Sequence, residues 1–75
     1  MEEDMQKICD LLLKALQATR SGSGLVNLIY AVEPQKETVT AVFQTGRKQI
    51  INVTINVTGD SGITMIYDIM RYFRR

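Results

Sequence analysis

The chain has 75 residues, nine Lys and Arg against eight Asp and Glu, no histidine, one cysteine and 45% hydrophobic residues. That length fits a single α+β domain over residues 1–75, whose small core barely offsets an ordering cost of about 1.5 kcal/mol per residue. One cysteine excludes an internal disulfide, the missing histidine argues against a structural zinc site, and a net charge of +1 gives no whole-molecule pull toward nucleic acid or an anionic membrane.

The N-terminus carries Glu2, Glu3 and Asp4 in place of a basic segment. No apolar run approaches the roughly 18 residues of a membrane span. The expectation is no signal peptide, no membrane span and a cytoplasmic location. Residues 2–20 read as a helix, with Met5, Ile8, Cys9, Leu12, Ala15, Leu16 and Thr19 on one stripe. Leu11 and Leu13 widen it. Glu3–Lys7 and Asp10–Lys14 are acid-before-base pairs at i,i+4 on the opposite side. Cys9 lies on the apolar stripe and reads as a buried structural thiol. Ser21-Gly22-Ser23-Gly24 closes this helix and opens a strand, which suits a turn rather than a phosphate loop.

Strands are expected over 25–32, 37–44 and 48–58. In the first, Val26, Leu28, Tyr30 and Val32 make the better core face. Glu33-Pro34-Gln35-Lys36 is a turn. In the second, Val39, Ala41 and Phe43 face inward. In the third, Ile51, Val53, Ile55 and Val57 face inward, and Asn52, Thr54, Asn56 and Thr58 face outward. Inward residues are odd-numbered in both strands, so an odd-length loop must join them, and Thr45-Gly46-Arg47 with a bulge satisfies that. Asn52-Val53-Thr54 and Asn56-Val57-Thr58 match the glycosylation pattern but read as ordinary strand residues.

The last helix is expected over 61–74, capped by Asp60 or Ser61. Ile63, Ile66, Tyr67, Met70 and Phe73 form one apolar stripe, expected to meet the sheet. Met65, Ile69 and Tyr72 form a second on the far side, left for the first helix or another molecule. Asp68 and Arg71 lie on the polar strip and are expected to pair. The predicted architecture is α-β-β-β-α, a three-stranded antiparallel sheet in order 1-2-3 with both helices packed on one face.

Several stretches carry resemblances. Gly59-Asp60-Ser61-Gly62 resembles the nucleophile motif of chymotrypsin-like serine proteases, but that chemistry needs a general-base histidine and the chain has none. The element order is similar to that of double-stranded RNA-binding domains, which implies lysines at the start of the last helix for phosphate contact. Here that place holds Asp60, Ser61, Gly62 and Ile63. The order also resembles small phage inhibitors of CRISPR nucleases, which mimic DNA with carboxylates; a positive charge balance does not suit that role. Gly59 to Ile63, with Met65-Ile66 and Asp68-Ile69, looks like the C-terminal half of small uncharacterised proteins of prophages and mobile elements in gut bacteria. That likeness implies a bacterial accessory protein.

No catalytic set, metal site or cofactor is expected. The expected function is a non-enzymatic protein-interaction module, binding a protein partner or a second copy of itself. Two interfaces compete: the edge of the third strand, with Thr54 and Asn56 on its outer face, and the stripe Met65, Ile69 and Tyr72. The alternative is weak nucleic-acid binding through Arg47, Lys48, Arg71, Arg74 and Arg75.

Overall fold

The computed structural model describes residues 2–74. Helix α1 (Glu2–Gln17) is followed by strands β1 (Leu25–Glu33), β2 (Lys36–Gln44) and β3 (Ile50–Asn56), then helix α2 (Gly62–Phe73). The strands form one antiparallel sheet in the order β1-β2-β3. Both helices contribute to one core on one face of it: Cys9 and Leu16 from α1, Leu25, Leu28, Val39 and Ala41 from the strands, Met65, Ile69 and Phe73 from α2, and Val57 between β3 and α2.

Helix α1 ends three residues earlier than its periodicity suggests. The Thr19 hydroxyl donates to the Leu16 carbonyl at 2.6 Å and accepts the Gly22 N–H at 3.1 Å, which diverts the chain into a turn. Gly22 lies so close that a Cβ there would stand 2.2 Å from the Leu16 oxygen, so only glycine fits.

The inward face of β1 differs from expectation at its start. Pairing shifts between Leu25 and Asn27, leaving Val26 as the extra residue of a bulge. Leu25 therefore takes the inward place opposite Phe43 and is 2% exposed, while Val26 is 43% exposed. Val32, near the hairpin, is also exposed. A two-residue turn, Pro34-Gln35, joins β1 to β2.

The β2–β3 connection keeps the expected odd parity but sits one residue later. Gln44 pairs with Ile50, and the Thr45 N–H donates to the Gln49 carbonyl at 2.9 Å, so the turn proper is Gly46-Arg47-Lys48. Lys48 takes the left-handed conformation, φ 62, of the bulge that ends such turns. The Thr45 hydroxyl accepts the N–H groups of Arg47 and Gln49, and this places the turn. Strand β3 starts at Ile50 rather than Lys48 for the same reason.

Helix α2 is rotated relative to expectation. Met65 and Ile69 are wholly buried and Phe73 nearly so; Ile63, Tyr67 and Met70 are exposed. Met65 and Ile69 of the stripe expected on the far side are in the core, together with Phe73 of the other stripe, while Tyr72 is half-buried. One local contact and one distant one set the rotation. Ser61 caps the helix by accepting the Thr64 N–H, and Gly62 faces α1 so closely that a Cβ would stand 2.8 Å from Ile8 Cδ1. Positions 62, 65, 69 and 73 follow helical spacing, so the Gly62 face carries Met65, Ile69 and Phe73 into the core with it. Phe73 then meets Phe43 of β2 with ring centroids 5.8 Å apart.

Candidate functional site

A three-stranded sheet has two edges, and here they differ. At β1, side chains supply what a fourth strand would. The Gln6 amide of α1 donates to the Leu28 carbonyl at 3.0 Å and accepts the Tyr30 N–H at 2.9 Å. Gln17 donates to the Leu25 carbonyl, and the Asn27 side chain accepts the Leu28 N–H. Gln6 is held in turn by Asp10, to which it donates at 2.8 Å. The backbone from Leu25 to Tyr30 is thus closed to pairing.

Strand β3 is open. The bonds at its two ends, Thr45 N–H to Gln49 O and Val57 N–H to Glu37 O, both fall on odd residues of that side. Antiparallel pairing alternates, so Ile51, Val53 and Ile55 direct their backbone groups to β2, and Ile50, Asn52, Thr54 and Asn56 direct theirs to the edge. Among the described residues, no side chain bonds the backbone of Ile50, Asn52 or Thr54. The strand IINVTIN holds no charge and no proline.

A groove of about 570 Å³ runs beside this edge, between Thr54 and Asn56 on one side and Asp68, Arg71 and Tyr72 of α2, with Arg74 just after it, on the other. Its α2 wall carries both signs of charge. Asp68 and Arg71 are 3.9 Å apart, and the Arg71 guanidinium lies 5.9 Å from the centre of the Tyr67 ring. Coverage of the sheet fades toward this side. Val39 and Ala41 of β2 are wholly buried, Val53 and Ile55 are half-buried, and Ile51 is 48% exposed.

The candidate residues separate accordingly. Thr54 and Asn56 are exposed at the groove, and half-buried Tyr72 lines it. Met65 and Ile69 are inside the chain's own core, which removes them as an exposed interface. The rotation of α2 is the reason, and it puts Ile63, Tyr67 and Met70 outside instead. Among the basic candidates, Arg71 and Arg74 line the groove, Arg47 and Lys48 sit exposed on the β2–β3 turn, and Arg75 lies outside the described residues. Gln6, which closes β1, carries no sequence signal: a polar residue flanking an apolar stripe looks like solvated surface.

Near the start of α2 lies an acidic corner. One Asp60 oxygen, Oδ2, is buried with no hydrogen-bond partner among the described residues. The Asp60 carboxyl faces that of Asp68, and a proton bridging the two, burial and repulsion from Asp68 push its pKa up to about 6, against a smaller opposing hydrogen bond from Thr64. Glu37 beside it is held below its usual range by hydrogen bonds from the Tyr30 hydroxyl and the Gly59 N–H. Cys9 is buried, and burial, helped by the Asp10 charge, pushes its thiol up to about 11. Among the described residues no helix is long and apolar enough to cross a membrane.

Comparison with protein-family models, with curated proteins and with solved structures returns no match for this chain.

Proposed function

We propose that this chain is a non-enzymatic protein-interaction module of the cytoplasm that binds by adding an extended strand along β3. The observation that supports it is the inequality of the two edges: side chains close β1 from Leu25 to Tyr30, and among the described residues nothing comparable lies along β3. Strand addition draws affinity from backbone bonds and selectivity from side chains that enter adjacent pockets. The groove beside Thr54 and Asn56 supplies such a pocket, with Asp68, Arg71 and Arg74 as its charged wall.

Peptides selected from a random extended library against the full chain test this reading. They are expected to slow amide exchange at Asn52 and Thr54 and to lose binding to Thr54→Pro. The Thr54 N–H points to the edge, so this proline removes no bond to β2. Selected peptides that bind Thr54→Pro undiminished would sink the reading. Arg71 and Arg74 in the same groove favour weak nucleic-acid binding as a second reading. Its signature is affinity for a random duplex that falls steeply with salt.

A further inference from the structure

Building on the strand-addition reading, we infer that the occupant of the β3 edge is β3 of a second copy, paired antiparallel about a two-fold axis through Val53. Three observations converge on a copy of this chain. First, Val53 is the midpoint of Ile50–Asn56, so centring the axis there overlaps the whole strand. In that register Ile51 meets Ile55, Val53 meets Val53, and Asn52 meets Thr54, apolar on the helix face and polar on the other. The backbone groups that bond across the seam are those of the even residues, which already point outward.

Second, the inward residues Ile51, Val53 and Ile55 are incompletely covered, and a second copy brings the same apolar row beside them. Third, the α2 wall of the groove is complementary to itself. It carries both signs of charge, Asp68 with Arg71 and Arg74, so a second copy brings charges of each sign to a wall that holds their opposites. Because Gln6 and Gln17 occupy the β1 edge from Leu25 to Tyr30, pairing runs through β3 alone and yields a six-stranded sheet of two copies rather than a filament.

Sedimentation equilibrium of the full chain between about 10 μM and about 1 mM tests this. The parent chain is expected to dimerise. Thr54→Pro is expected to raise the dimer dissociation constant at least about tenfold with an unchanged far-UV spectrum. Thr54→Lys, which keeps every backbone bond, is the second variant should the proline disturb folding. Val53→Cys places two thiols at a non-bonded pair with Cα atoms about 4.5 Å apart, within disulfide reach. Mild oxidation should link it into a dimer while buried Cys9 in the parent stays unlinked. A parent chain that stays monomeric throughout the range overturns the inference. If library peptides still bind that monomer and lose binding to Thr54→Pro, only self-pairing falls and strand addition stands. A dimer that persists in both Thr54 variants overturns the β3 seam.

Discussion

Asp60 shows how one side chain can carry a cost that the local sequence conceals. As a residue beside a helix start it reads as a cap, yet Ser61 is the cap and Asp60 is turned toward Asp68. Its folded pKa of about 6 exceeds the ordinary value of 3.8. The folded chain therefore binds this proton more tightly than the unfolded chain, and stability falls as pH rises across that window. Above about pH 6 the penalty is complete. Asp60→Asn is expected to flatten this part of the pH profile and to add about 1 kcal/mol at neutral pH, a figure discounted for partial exposure. Urea denaturation of parent and variant at about pH 4 and pH 7 checks both points; equal differences at the two pH values would refute the assignment. Cys9 is the opposite case, legible from its place on the α1 stripe. A thiol reagent should label it slowly in the native chain and quickly in denaturant, and rapid native labelling would place it at the surface.

At the scale of elements, α2 separates what periodicity can and cannot say. Two apolar stripes were legible, and the one with more residues was expected to meet the sheet, but residue count alone does not decide which face is buried. The close approach of Gly62 to Ile8 and the Ser61 cap decide the rotation. Ile69→Ala should therefore destabilise by about 2–5 kcal/mol, and Ile63→Ala, on an exposed site, by under about 0.5 kcal/mol. Chemical denaturation with the reverse order would restore the other stripe to the core. Ile55, expected as a fully inward strand residue, is half-buried, so Ile55→Ala should fall between the two. In β1 a similar limit applies. Alternation is visible from Leu25 to Val32, but one bulged residue exchanges faces, and Leu25 replaces Val26 in the core.

For the whole molecule, the closing of one edge matters as much as the opening of the other. Gln6 makes two bonds to β1 and one to Asp10. Gln6→Ala should cost about 1–2 kcal/mol, since it leaves the Leu28 carbonyl and the Tyr30 N–H without that partner. It should also speed amide exchange at Tyr30 and open a second edge, so that light scattering rises with concentration beyond that of the parent chain. A variant as small in solution as the parent, with an unchanged Tyr30 amide, would show that Gln6 does not guard the edge.

The order of elements, the antiparallel meander, the inward rows of β2 and β3, and the burial of Cys9 were all determined by sequence, because each follows from a period of 2 or 3.6 over a long enough run. The open edge of β3 was visible in the same way, as a strand without charge or proline. Three features were decided only by tertiary structure: the bulge at Val26, the face that α2 buries, and the amide of Gln6 that closes β1. Each depends on contact between residues far apart in the chain, or on one extra residue within a regular run. Periodicity reports that a face exists; which neighbour covers it is set by packing at Gly62, by register at Leu25, and by a helix side chain reaching a strand 22 residues away.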